Sequence, residues 1–156
     1  MAEPSRRSIE MRDVRFGEGV TIVDPVNLYD CEIGDDCFIG PFVEIQQGVR
    51  IGVGCRIQSH TFLCEGVRLG ARCFIAHGVM FVNDLFKTDE PARGDRSLWG
   101  ETIVGDDVSI GSGAVVLPVA ICARTVIGAG AVVTKSISKP GVYAGNPAKW
   151  LRGLKA

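Results

Sequence analysis

The sequence predicts an all-β chain wound as a three-sided parallel solenoid of about six 18-residue coils. Three observations predict it. An aliphatic residue recurs every six positions, a small or β-branched residue follows four positions later, and glycine is abundant (20 of 156) while Trp and Tyr number two each. A six-residue period fits neither the 3.6-residue helix nor plain two-residue alternation. It fits short strands separated by turns, with two inward positions per hexad, and three such strands close one coil. Stacked at about 4.8 Å, six coils make a prism roughly 28 Å long.

The elements follow in order. After a lead-in over residues 1–15, the aliphatic positions begin at Phe16, Ile22 and Leu28. A five-residue step leads to Ile33, and Ile39, Ile45, Ile51, Ile57, Leu63, Leu69, Ile75 and Phe81 follow at intervals of six, so coils span 16–83. The register predicts columns: Ile33 with Ile51 and Leu69, Ile39 with Ile57 and Ile75, Ile45 with Leu63 and Phe81. From Phe81 to Val104 the step is 23 residues, an insertion of 17. Residues 84–103 therefore read as an extruded loop, and a long excursion from a regular solenoid is more often functional than accidental. Trp99 is expected to pin it to a neighbouring subunit. Coils resume over 104–138 through Val104, Ile110, Val116, Ile121, Ile127 and Val133. The segment 139–156 leaves the repeat. Asn146-Pro147 reads as an N-cap followed by proline in the first turn, opening a short helix through Ala148–Arg152.

Composition excludes several classes. Net charge is −1, which removes the electrostatic case for a nucleic-acid or polybasic membrane-surface protein. Apolar residues make up 46% of the chain, enough for a core, but no run is long enough to span a bilayer. The N-terminus lacks the apolar stretch of a secretory leader, so a cytoplasmic protein is expected.

Cys37, Cys55 and Cys73 are 18 apart and occupy the small inward position, so they read as a core ladder, with Cys31 expected to begin the same stack. Cys64 and Cys122 follow aliphatic positions and are expected to point outward. No CxxC pair exists and the chain has two histidines, His60 and His77, so no metal site is expected. The two histidines fall on the same side of successive coils, near the loop.

The sharper signal is polar. Gln47, Glu65 and Asn83 each lie two positions after an aliphatic residue of the third face, 18 apart, so they form an outward ladder with Glu65 directly beneath Asn83. The loop leaves at Asp84, poised to cover this groove. Two coils further, the same column reaches Lys135.

The hexads resemble those of the left-handed parallel β-helix of hexapeptide-repeat acyltransferases. The words Ile57-Gln58-Ser59-His60-Thr61-Phe62-Leu63-Cys64-Glu65-Gly66-Val67 and His77-Gly78-Val79-Met80-Phe81-Val82-Asn83-Asp84 resemble nucleotide-sugar 3-amino N-acetyltransferases, such as those acting on UDP-2-acetamido-3-amino-2,3-dideoxyglucuronate. The runs Ile127–Lys135 and Gly141–Ala148 look like the coenzyme A end of many hexapeptide transferases. The resemblance implies acetyl transfer from acetyl-CoA to the 3-amino group of a UDP- or dTDP-linked sugar, by direct amine attack. It implies Asn83 as the residue that fixes the amine, with His77 as the alternative base, and His60, Glu65 and Asp84 at the acceptor. Lys135 and Asn146 would face coenzyme A, and a homotrimer would hold sites between subunits. Two other readings stand beside it: an O-acetyltransferase with a histidine base, and a non-catalytic scaffold.

Overall fold

The computed structural model describes residues 11–155. The expectation about an N-terminal leader falls on residues outside this range. Short strands, most of them of two residues, assemble three sheets at the aliphatic positions. Face 1 contains β1 (Arg15–Phe16), β4 (Glu32–Ile33), β7 (Arg50–Ile51), β10 (Val67–Leu69), β13 (Thr102–Val104) and β16 (Ala120–Ile121). Face 2 contains β2 (Thr21–Ile22), β5 (Phe38–Ile39), β8 (Arg56–Ile57), β11 (Phe74–Ile75), β14 (Ser109–Ile110), β17 (Thr125–Ile127), β19 (Gly141–Ala144) and β20 (Lys149–Arg152). Face 3 contains β3 (Asn27–Leu28), β6 (Glu44–Ile45), β9 (Phe62–Leu63), β12 (Met80–Phe81), β15 (Val115–Val116) and β18 (Val132–Val133). Pairing within each face is parallel up to β19, giving six complete coils and the start of a seventh.

The register is the one the hexads dictate. Ile33 pairs Ile51, Ile51 pairs Leu69, and Ile39 pairs Ile57, which pairs Ile75. Inward side chains fill the prism axis: Leu28, Ile45, Leu63, Phe81, Val116 and Val133 are all buried. Each such burial contributes about 1.5–3 kcal/mol. Backbone N–H groups of one coil donate to carbonyls of the next, for example Gly34 N to Ile51 O and Gln58 N to Ile75 O, both at 2.8 Å. Thr61, Thr102 and Thr125 are buried at small positions, and each hydroxyl donates to a carbonyl. That satisfies the one polar atom each brings into the core.

The C-terminal segment corrects the sequence reading: no helix forms after Asn146. Residues 149–152 are β20, antiparallel to β19, with Tyr143 opposite Trp150 and Ala144 opposite Lys149. A five-residue helix is too short to sustain itself. β19, last of the stacked strands, offers an unpaired row of backbone groups that the returning chain satisfies. Asn146–Pro147, a cis peptide, lies in the connecting turn.

The cysteines need two corrections. Cys37, Cys55 and Cys73 do stack, with the Cys73 N–H 3.3 Å from Cys55 Sγ. Cys31 lies at a different corner, because its spacing of six from Cys37 carries it to the strand of another face; its column continues through Val49 and Val67. Cys64 is buried rather than outward. Its corner is roofed where the extruded loop returns, Thr102 N–H donating to Gly66 O at 3.1 Å. Cys122 is half-buried.

Candidate active site

Two corners flank face 3, and they carry different chemistry. The corner after face 3 holds the polar ladder. Asn83 Nδ2 donates to the backbone carbonyl of Glu65 at 3.2 Å, so these two rungs are stacked as the 18-residue spacing requires. Asn83 Oδ1 has no partner among the described residues. Its amide is thus anchored through the nitrogen, which leaves the oxygen as its open acceptor. Below, the Glu65 N–H donates to Gln46 Oε1 at 3.4 Å.

The extruded loop closes at its neck on the same rung: the Gly100 N–H donates to Asn83 O at 2.8 Å. Gly100 also lies against Pro118, where an added Cβ would come within 2.4 Å of the ring's Cβ. Asp84 organises the loop's first half. Its Oδ1 accepts from the Phe86 N–H at 2.9 Å and its Oδ2 from the Ala92 N–H at 2.7 Å. Asp95 caps a 3-10 turn, Arg96–Leu98, accepting from the Ser97 N–H and hydroxyl. Those hydrogen bonds hold the Asp95 carboxyl below its ordinary pKa.

That turn delivers a residue the sequence reading missed. Arg96 Nη2 donates to Gln47 Oε1 at 2.9 Å, and Arg96 Nε lies 3.2 Å from Glu65 Oε1. The guanidinium therefore spans two rungs of the ladder. No register rule places a residue inside an irregular insertion, so spacing held no signal for it. On the N-terminal side of Gln47 lies an open depression of about 340 Å³ lined by Arg15, Asp30, Glu32 and Gln47–Arg50. Arg15 and Arg50 both pair with Glu32 there.

The corner before face 3 holds the histidines. His77 Nδ1 and Ser59 Oγ share a hydrogen bond of 2.8 Å, one coil apart. Ser59 precedes His77 by 18, so the hexad register did contain the signal for this partner. Nε2 of His77 has no partner among the described residues. His60 sits in a left-handed turn at φ +62°, in column with Phe42 (+60°) and Gly78 (+66°), and its ring lies 4.9 Å from that of Phe42. The six residues from His77 to Asn83 run the width of face 3, up to about 20 Å of extended chain. One chain therefore does not bring its histidines to its own ladder.

Lys135 and Asn146 are likewise separated. Lys135 is exposed on the ladder's column, above Pro118, while Asn146 is exposed in the β19–β20 turn. The turn docks on face 3, where the Val132 N–H donates to Gly145 O at 3.0 Å. Among the described residues no group of three or more His, Cys, Asp or Glu is placed to hold a metal ion, and no helix is long and apolar enough to cross a membrane.

Comparison with known proteins agrees with this geometry. Residues 30–64 match the family described as bacterial transferase hexapeptide (six repeats), and residues 101–135 match the hexapeptide repeat of succinyl-transferase. The two matched segments lie on either side of the loop. The chain is 27% identical over 134 residues, 81% of its length, to the bifunctional protein GlmU of Nitratidesulfovibrio vulgaris, of which it covers 30%. The curated relatives are thus more than three times the length that this chain matches. A point mutant of AntD, an N-acyltransferase from Bacillus cereus solved with dTDP and coenzyme A, superposes with a TM-score of 0.70 at 20% identity, over 93% of this chain and 83% of that one. Serine acetyltransferase of Neisseria gonorrhoeae superposes at 0.60 with 31% identity, over 73% of this chain and 42% of that one. The fold is an all-β parallel solenoid of the kind these structures share, consistent with the left-handed β-helix.

Proposed function

We propose that the protein transfers an acetyl group from acetyl-CoA to the 3-amino group of a nucleotide-linked sugar, UDP or dTDP. The observation that carries this reading is Asn83: an amide held through its nitrogen by the Glu65 carbonyl, with no partner for its oxygen among the described residues, one rung from the Arg96–Glu65 ion pair. Such an acceptor can take one N–H of an attacking amine and aim its lone pair at the thioester carbonyl carbon. The new N–C bond forms as the C–S bond breaks, the electron pair leaves with sulfur, and the ammonium proton goes to the thiolate or to water. An amine beside ring oxygens titrates near or below an α-amino group, about 7.7–8.0, so a neutral fraction exists without a strong base. Glu65 pairs with the amine or a neighbouring hydroxyl, and Asp84 shapes the loop that covers both.

Two further observations support the co-substrate. AntD, similar in fold, was solved with coenzyme A and dTDP. Residues 108–156 carry six Lys and Arg and no Asp or Glu, while the rest of the chain holds all 18 acidic residues. The coils stack in sequence order, so this cationic end lies where Lys135 and Asn146 would meet the phosphates of coenzyme A.

The acting unit in this reading is a homotrimer packed through face 3. Its outward row runs Asn27, Glu44, Phe62, Met80, Val115 and Val132, so the four coils after Glu44 carry no charge there, and Met80 is 45% exposed. Face 1 instead presents Arg15, Glu32, Arg50 and Arg68, and face 2 is interrupted by Arg56. Three copies meeting on face 3 about a threefold axis set the histidine corner of one against the ladder corner of the next. His60 and His77 then reach the Glu65–Asn83 site of a neighbouring copy, and Trp99 stands at the same seam.

The test is thiol release from acetyl-CoA with a panel of UDP- and dTDP-linked 3-amino sugars. Turnover is expected with at least one, and Asn83→Ala is expected to lower kcat about tenfold to a hundredfold, roughly 1.4–2.7 kcal/mol of barrier, in a protein that still melts cooperatively. Absence of thiol release with every amine sinks the reading. The Ser59–His77 hydrogen bond favours a second one, O-acetylation with His77 as base, because a hydroxyl needs a base where an amine does not. Turnover with hydroxyl acceptors only, abolished in His77→Ala, selects it.

A further inference from the structure

We propose that Arg96 is the residue that reads an anionic oxygen of the acceptor, and so restricts the acceptor to molecules carrying a carboxylate or a diphosphate near the transferred amine. This rests on the acceptor site proposed above. A guanidinium has five N–H donors in a rigid fork suited to carboxylate and phosphate. One of them is given to Gln47, and Nε faces Glu65. The others have no partner among the described residues, on a side chain 57% exposed. Gln47 and Glu65 engage Nη2 and Nε, which fixes the plane of the group and leaves the Nη1 donors open beside the ladder.

The position is specific. Of the nearby cations, Arg15 and Arg50 are committed to Glu32, and Arg68 to Glu101. Lys135 stands two coils above Asn83, about 10 Å away. Arg96 reaches the rungs beneath Asn83, beside the open depression that shares Gln47. Glu65 adds a sign. Without Arg96, an anionic acceptor would face an uncompensated carboxylate, so loss of the guanidinium both removes an attraction and exposes a repulsion.

The experiment measures equilibrium binding of UDP, dTDP, UDP-glucose and UDP-glucuronate by calorimetry, in wild type and Arg96→Gln. In parallel, thiol release is followed with the amine panel. Expected is a rise in Kd of at least tenfold, about 1.4 kcal/mol, for the ligand bearing the recognised anion. If the diphosphate is read, all four ligands weaken together. If a sugar carboxylate is read, only the advantage of UDP-glucuronate over UDP-glucose disappears. Arg96→Lys, which keeps the charge and loses the fork, should fall between, and stands in if Arg96→Gln does not fold. Kd values equal within twofold for every ligand, or no binding of any ligand by the wild type, overturn the proposal. The two readings fail separately: thiol release that persists with unchanged Kd removes Arg96 alone, and lost thiol release with the predicted Kd pattern removes the acetyl transfer alone.

Discussion

Asn83 and Cys64 show how far the environment of a single residue decides its chemistry. Asn83 suits the proposed role because one end of its amide is already occupied: the bond to Glu65 O leaves the oxygen as the open acceptor. Cys64 follows an aliphatic position, as Asn83 nearly does, yet the returning loop closes over its corner and burial pushes its thiol up to about 12. Burial, with the charge of Asp30 beside it, pushes Cys31 up to about 11. A thiol whose folded pKa stands above its unfolded value lends stability that is complete below the unfolded pKa and is lost as pH rises through the folded one. From the ordinary value of 9.0, that window runs upward toward 11 and 12. The thermal midpoint should therefore be level near neutrality and fall above about pH 9. Cys64→Ala, which removes one of the thiols whose pKa is raised, should make that fall shallower. Melting curves by circular dichroism from pH 7 to about 11 check this, and identical slopes in the two proteins would remove Cys64 from the account.

At the scale of elements, the solenoid and the loop obey different rules. Coil strands are placed by register, because each inward aliphatic must meet the one 17 or 18 residues away, and a slip of one residue would turn it to solvent. That is why the columns, the glutamine–glutamate–asparagine ladder and the cysteine stack were legible in the sequence. The interior of the insertion has no register, so Arg96 was not. The terminal hairpin escaped because the free edge of β19, a property of the folded sheet, outweighed the local proline and asparagine signal. The loop's ends, by contrast, are closed by backbone alone, Gly100 N–H on Asn83 O at 2.8 Å and Thr102 N–H on Gly66 O at 3.1 Å. The coils above and below are paired directly through β12 and β15, and through β10 and β13. Replacing residues 85–98 by a short glycine-serine link should thus leave a cooperatively melting solenoid with its midpoint within a few degrees, while thiol release from acetyl-CoA falls to background. A variant that retains turnover would place the chemistry elsewhere; one that no longer folds would make the loop part of the scaffold.

For the molecule as a whole, a triangular prism has convex corners, and neither flanking corner of face 3 is a complete site. One offers an anchored amide, a carboxylate and a guanidinium; the other offers two histidines, one of them oriented by a serine hydroxyl at 2.8 Å. Between them, after Glu44, lie the apolar Phe62, Met80, Val115 and Val132 of face 3, and the proposed trimer would bury them away from water while bringing the two corners together. Complementation between two inactive proteins separates this arrangement from one in which a chain works alone. Asn83→Ala lacks the amide, and His77→Ala lacks the imidazole of the opposite corner. When the two are unfolded together and refolded as mixed trimers, a seam is intact only if its histidine comes from the first variant and its asparagine from the second. For random mixing in a closed threefold ring, that is about one seam in four. Thiol release should then recover toward about a quarter of the wild-type rate, with each variant refolded alone remaining low. If His77→Ala alone keeps the wild-type rate, the imidazole has no part in the reaction. If both variants are impaired and the mixture gains nothing, the two corners do not meet across a seam, and the trimer through face 3 falls with them.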